Sequence, residues 1–265
     1  MQFAVCPACD NPIQLIGLYE LPPNVKNPFG KHTVAGITGL APTIPEAREN
    51  CPYFNPRQPD RRERKAQFDG IPRKILILLI EQFDRVVYML EKQTGLVFSK
   101  NALTGMLDRY RGETGYMYTG ASLRNVPWIF AYMSDATDLF AQKVSGNEAL
   151  VKSIGRLASE VEIDDKGRVV AIVTPGEKTP FIDMKMSFIQ HRFRKDTDDS
   201  RLTETMVMVI TIVRNHEIVE IHRETIEFDH AWFENLIRLP AKHKNRRPDR
   251  VDLARTVLGD LLHTS

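Results

Sequence analysis

The chain has 265 residues, 42% of them hydrophobic and 26% charged, with 36 Lys and Arg against 34 Asp and Glu for a net charge of +2. That balance excludes a global electrostatic pull toward nucleic acid or a membrane surface, so any such contact has to rest on local clusters. The longest strongly apolar run, residues 75–80, falls far short of the roughly 20 that span a bilayer, and the start lacks a basic stretch followed by an apolar one, so a cytoplasmic location is expected.

Residues 1–60 carry ten of the 16 prolines and all three cysteines. Prolines lack an N–H and fix φ, so this segment cannot run as long helices and has few donors for a sheet. It therefore needs a staple. Cys6-Pro-Ala-Cys9 presents two thiolates from one turn, Cys51 supplies a third, and His32 is the one histidine between them. Three sulfurs and an imidazole form a closed tetrahedral set for zinc, with no position left for a reacting water. The gaps of 22 residues from Cys9 to His32 and 18 from His32 to Cys51 are long for a compact finger, yet loop closure costs grow slowly with length. An odd number of cysteines, unable to pair completely, again favours reduced thiols on a structural zinc.

A charged joint at residues 57–65 leads into the helical region expected over 61–159. The strongest helix signal covers 72–93, where Ile75, Leu79, Phe83, Val86, Val87 and Leu90 recur at i, i+3 and i+4 spacing, with Pro72 in the first turn and Gly95 as the stop. Further helices are expected at 101–111, around 123–141 with an interruption near Pro127, and at 147–158. Residues 112–120 form a loop. Tyr110, Tyr116, Tyr118, Trp128 and Tyr132 in this region are expected to pack in the core, although such rings also line grooves.

Beyond residue 160 the hydrophobic period changes to two. A hairpin is expected at 161–174 around a turn at 164–167, then strands at 181–193, 206–213 and 218–228, the last two joined at Asn215-His216. Asp229 caps a short helix ending before Pro240, and a final helix covers about 249–262. The predicted fold class is α+β: a zinc-stapled N-terminal head (1–60), a helical middle (61–159), and a C-terminal antiparallel sheet closed by two helices (160–265).

Two basic clusters carry the leading functional expectation. Arg61, Arg62, Arg64 and Lys65 follow the cysteine segment, and Lys242, Lys244, Arg246 and Arg247 lie near the C-terminus. Clustered cations neutralise phosphates and release counterions without reading sequence. The expected protein is thus a non-enzymatic, zinc-containing nucleic-acid-binding protein (DNA or RNA) or a subunit of a nucleoprotein assembly. Two other readings compete with it. Phe181-Ile-Asp183-Met-Lys185 resembles the second half of the PD-(D/E)xK nuclease signature. That resemblance implies metal-dependent cleavage, with Asp165 or Asp164 as the upstream acid and Lys185 orienting water. Alternatively the zinc head is the docking surface of a protein–protein adaptor. Glu220, His222 and Glu224 are expected on one face of a strand, with His216 in the turn before it, a pattern that suits either a metal, an acid–base pair or plain solvated surface. Neither a phosphate-binding glycine loop nor a nucleophile elbow is present.

Overall fold

A computed structural model describes residues 1–173, 176, 178–195, 202–240, 242–243 and 246–263. The fold mixes helices with sheets whose strands pair antiparallel throughout. In the head, β1 (Gln2–Val5), β2 (Pro12–Ile16) and β3 (Phe29–His32) form a three-stranded sheet, and a short helix, α1 (Pro45–Glu49), follows. A proline-rich segment thus does build a sheet. The strands are four or five residues long, and Pro12 opens β2, a strand position that tolerates proline.

The expected helix over 72–93 is two helices, α2 (Ile71–Glu81) and α3 (Phe83–Thr94), because Gln82 leaves helical geometry at φ −117°, ψ 18°. The α3 helix stops at Gly95, whose φ is +68° and whose Cβ position would lie 2.5 Å from Asn147. Glycine is required there on both counts. Strand β4 (Leu96–Val97) follows, then α4 (Lys100–Gly112), a 3₁₀ turn at Gly115–Met117, and α5 (Val126–Met133), which is buried on every side. Short strands β5 (Thr137–Asp138) and β6 (Lys143–Val144) precede α6 (Glu148–Leu157), which is N-capped by the Asn147 side chain.

Strands β7 (Val161–Ile163) and β8 (Val169–Ala171) make a two-stranded hairpin, joined to β6 through a bridge between Lys143 and Arg168. The principal sheet runs β11 (Glu217–Glu227), β10 (Leu202–Arg214), β9 (Met184–Lys195), β5. Asn215 and His216 both take positive φ, 49° and 66°, as a two-residue hairpin turn requires. Along β10 the inward side reads Glu204, Met206, Met208, Ile210, Ile212, all buried. Helices α7 (His230–Arg238) and α8 (Pro248–Leu258) finish the chain. Helix α7 packs on α3 and reaches β10 through His230 and Glu204, and α8 packs chiefly on α2, α3 and α4. One apolar cluster from Ile71 to Leu258 joins helices and sheet, with Trp128, Tyr110 and Tyr118 fully buried in it. The head has a separate small cluster of Cys6, Ala8, Cys9 and Cys51.

Candidate metal centre

The turn between β1 and β2 places the first two sulfurs. Asp10 N–H returns to the Cys6 carbonyl at 3.0 Å, Cys6 N–H donates to the Asn11 carbonyl at 2.8 Å, and Asp10 takes a positive φ of 55° to close the turn. Asn11 is fully buried and bridges two loops: its Nδ2 donates to the Cys9 and Ile44 carbonyls, and its Oδ1 accepts from Ile44 N–H at 2.7 Å. That bridge fixes α1, which leads directly to Cys51. His32 ends β3 opposite Ile13, on the sheet face that looks toward the cysteines.

Sγ of Cys6 lies 3.7 Å from Sγ of Cys51, Sγ of Cys9 lies 3.3 Å from Nε2 of His32, and the four donor atoms lie within 4.8 Å of one another. A tetrahedron with metal–sulfur bonds of about 2.3 Å and metal–nitrogen bonds of about 2.0 Å has edges of about 3.8 and 3.5 Å. The spacing therefore fits a metal ion. The electrostatics point the same way. Hydrogen bonds from Cys51 and Cys6, against the effect of burial, hold the Cys9 thiol well below its usual range, with help from His32 and the Asn11 N–H. Hydrogen bonding to Cys6 and Cys9, then burial, pushes Cys51 up, and the same two sulfurs push His32 up to about 9. Crowded electron-rich donors compete for protons, and a divalent cation replaces that competition with four bonds.

The basic clusters look different. Arg64 donates to the Glu113 carbonyl at 2.7 Å and the Arg61 carbonyl at 2.6 Å. Lys65 Nζ points inward to the carbonyls of Tyr118, Thr119 and Ala121, and burial pulls its pKa down to about 7. Arg61 sits over the Tyr132 ring with its centre 5.5 Å from the ring centroid, and its Nε and one terminal nitrogen are buried without a partner among the described residues. Arg246 pairs with buried Asp84 at 2.7 Å, and Arg247 pairs with Asp249 at 3.0 Å. Arg62 and Lys242 are exposed, and neither side chain has a partner among the described residues. Lys244 lies outside the described residues. Most of the cations named from the sequence are thus engaged within the chain.

Asp183 and Lys185 do share a face, forming an ion pair at 3.4 Å. Asp165, however, lies in the turn of the separate β7–β8 hairpin, and Asp164 is engaged there as an acceptor for Lys166 N–H and Arg168. Among the described residues these acids do not belong to any group of three or more metal-ligating side chains. The expected Glu220, His222, Glu224 face is broken by a bulge: Ile210 pairs with His222 and Thr211 with Glu220, so Ile221 is skipped. Ile221 and His222 both become buried, while Glu220 turns out to Arg223. His222 contacts Ser153 Oγ at 3.0 Å and Glu224 at 3.3 Å.

A buried polar cluster escaped the sequence reading. Glu204 accepts from Asn125 Nδ2 at 2.6 Å and lies 2.7 Å from His191 Nε2 and 3.0 Å from His230 Nε2; His191 Nδ1 also meets Tyr118 Oη at 3.0 Å. Burial pushes the Glu204 carboxyl up, but the two histidines outweigh it and hold the group below its ordinary range. The cluster ties α5, β9, β10 and α7 together. Its signal in the sequence was Glu204 standing in phase with Met206, Met208 and Ile210, a charge at an inward position.

No protein-family model, curated protein or solved structure matches this chain. Among the described residues, no helix is long and apolar enough to cross a membrane.

Proposed function

We propose that this chain is a non-enzymatic interaction protein. Its head is held by a structural zinc ion on Cys6, Cys9, His32 and Cys51, and it docks a protein partner through the outer face of its three-stranded sheet. Three thiolates and one imidazole match zinc's preferred donors and tetrahedral geometry, and four protein ligands leave no place for a catalytic water.

The observation that supports docking is the sheet face opposite the cysteines. Register puts Phe3, Val5, Ile16 and Phe29 on it, with Gln14 and one charge, Lys31. Phe3 and Phe29 are 37% and 47% exposed. An aromatic, charge-poor patch is the composition of an interface centre. The head has no cationic surplus for phosphates: Lys26, Lys31, Arg48 and Arg57 stand against Asp10, Glu20, Glu46, Glu49 and Asp60. Among the described residues, the nucleic-acid reading keeps Arg62 and Lys242 as its free cations.

Affinity purification of wild type beside a Phe3→Ser/Phe29→Ser variant tests the proposal. The expected result is a stoichiometric protein partner retained by wild type and lost from the variant, with zinc content equal in both. Salt-sensitive binding to random-sequence nucleic acid that is lost in Arg62→Ala/Lys242→Ala, without any such protein partner, overturns it in favour of the nucleic-acid reading.

A further inference from the structure

The principal sheet is covered from one side. Helices α5, α6 and α7 reach it through Tyr132, Ser153 and His230, which meet His191, His222 and Glu204, all three buried on the inner face. Among the described residues no other helix packs closely on β9, β10 or β11. Residues directly opposite each other on neighbouring strands project to the same side, so the register spells out the outer face.

One row of that face is Lys185, Thr211 and Glu220; three rows on, another is Arg192, Thr205 and Glu227. Each of these rows carries a cation on β9, a hydroxyl on β10 and a carboxylate on β11. Between them Ile189, Val207 and Val209 make a β-branched centre. At one end Val213 and its opposite, Ile218, are 38% and 75% exposed. Lys185 pairs with Asp183 at 3.4 Å and Arg223 with Glu220 at 2.6 Å, whereas Arg192 and Arg194 are exposed with no partner among the described residues. Charge over the face is even, because Arg194 and Arg223 are offset by Asp138 and Asp183, so it offers no surplus to a polyanion. Within the two rows the signs are sorted by strand.

We propose that two copies of this chain pack these faces together about a two-fold axis running along β10. That rotation lays β9 of each copy over β11 of the other. Arg192 then meets Glu227 of the partner subunit and Lys185 meets Glu220 of the partner subunit, each contact occurring twice. Arg223 comes over the uncharged Ser187, and Val207 and Val209 meet their own copies in the middle. The other axis within the face, across the strands, stacks Arg192 on Lys185 and Glu220 on Glu227, which like-charge repulsion disfavours. Three strands about 4.8 Å apart, over about ten residues at about 3.4 Å each, give a footprint of roughly 500 Å² per copy. The total of about 1,000 Å² is the lower bound of a specific interface, so the dimer is reversible.

Sedimentation velocity on the full chain from about 1 μM to about 1 mM, a range covering weak specific association, tests this. A monomer–dimer equilibrium is expected. Arg192→Glu and Glu227→Arg each raise the dissociation constant at least about tenfold, with far-UV circular dichroism unchanged. Mixed in equal amounts, the two variants are expected to form a heterodimer. One then has carboxylates on both strands and the other cations on both, so the contacts between them are attractive. The Phe3→Ser/Phe29→Ser chain, altered only in the head, is expected to dimerise as wild type does. The proposal is overturned if the chain stays monomeric throughout that range, or if either charge reversal leaves the dimer as it was. It is equally overturned if the mixture associates no more tightly than each variant alone, or if the head substitutions abolish the dimer.

Discussion

The head closes around Cys6, Ala8, Cys9 and Cys51 with Ile13 and Ala47 packed on them, whereas the body closes around one continuous apolar cluster from Ile71 to Leu258. The two regions meet through polar contacts, among them Lys74 with Asp10 at 2.7 Å and Arg124 with Tyr53 Oη at 2.6 Å. A segment of about 60 residues buries too little apolar surface to hold itself against chain entropy, and a metal ion on the four donors would supply the missing stability. The body has no such need. Its polar cluster around Glu204 tolerates burial because the carboxylate is met by Asn125, His191 and His230. Order in the head would then depend on coordination, while order in the body rests on packing.

The largest expected effect breaks this contrast in the head alone. Structural zinc contributes on the order of 10 kcal/mol to the folding of a small metal-dependent unit. Chelation, or Cys9→Ser, is expected to abolish metal binding and the amide protection of β1–β3, while protection of β10 and β11 persists in hydrogen exchange. Simultaneous loss in both regions would refute the separation. In the body, Glu204→Ala leaves Asn125, His191 and His230 facing a void. A cost of about 3–5 kcal/mol in urea denaturation is expected, with zinc content unchanged.

A smaller effect comes from pH. The folded-state carboxyl of Glu204 is held below its ordinary value, against about 4.3 in the unfolded chain. It therefore contributes stability above that value, and the contribution disappears as pH falls through the lowered folded-state value. The urea midpoint is expected to drop as pH falls below about 4.3 in wild type, and Glu204→Gln is expected to flatten the drop. Acid also protonates thiolates, so the midpoint should be followed through β10 rather than the head. The smallest effect is at Arg62, exposed and unpartnered among the described residues. Arg62→Ala should change stability by less than about 0.5 kcal/mol. Arg246→Ala, which strands buried Asp84, should cost about 3 kcal/mol or more. Equal effects at the two positions would mean that the second basic cluster is not built into the fold as its contacts indicate.

The cysteine turn, the metal set and most element types were legible because they depend on local spacing. Cys6 and Cys9 come from one turn, the Asn147 and Asp229 caps accept N–H groups three residues on, and alternation in β9 and β10 marks an inward face. Three features were not legible. The break at Gln82 carries neither glycine nor proline, the residues that usually mark a kink. The bulge at Ile221 shifts phase by one residue and so reverses which side chains face the core. The basic clusters looked like free cations because charge is read from the chain, while Glu113, Asp84 and the carbonyls of residues 118–121 that engage them lie far away in sequence.

The sequence by itself picked out three sulfurs and an imidazole that gather in the proline-rich end, since a tetrahedral donor set is countable by residue type and closure of its loops costs little more as they lengthen. It also determined that helices precede strands in the body, since hydrophobic period is a local property. Only the tertiary structure decided which charges remain free, because each ion pair depends on an encounter between distant segments. Only it brought Glu204 between two histidines, left Asp84 Oδ1 buried without a partner among the described residues, and turned Phe3 and Phe29 outward on the face opposite the four donor atoms. Those outcomes follow from register and packing, which no window of adjacent residues contains.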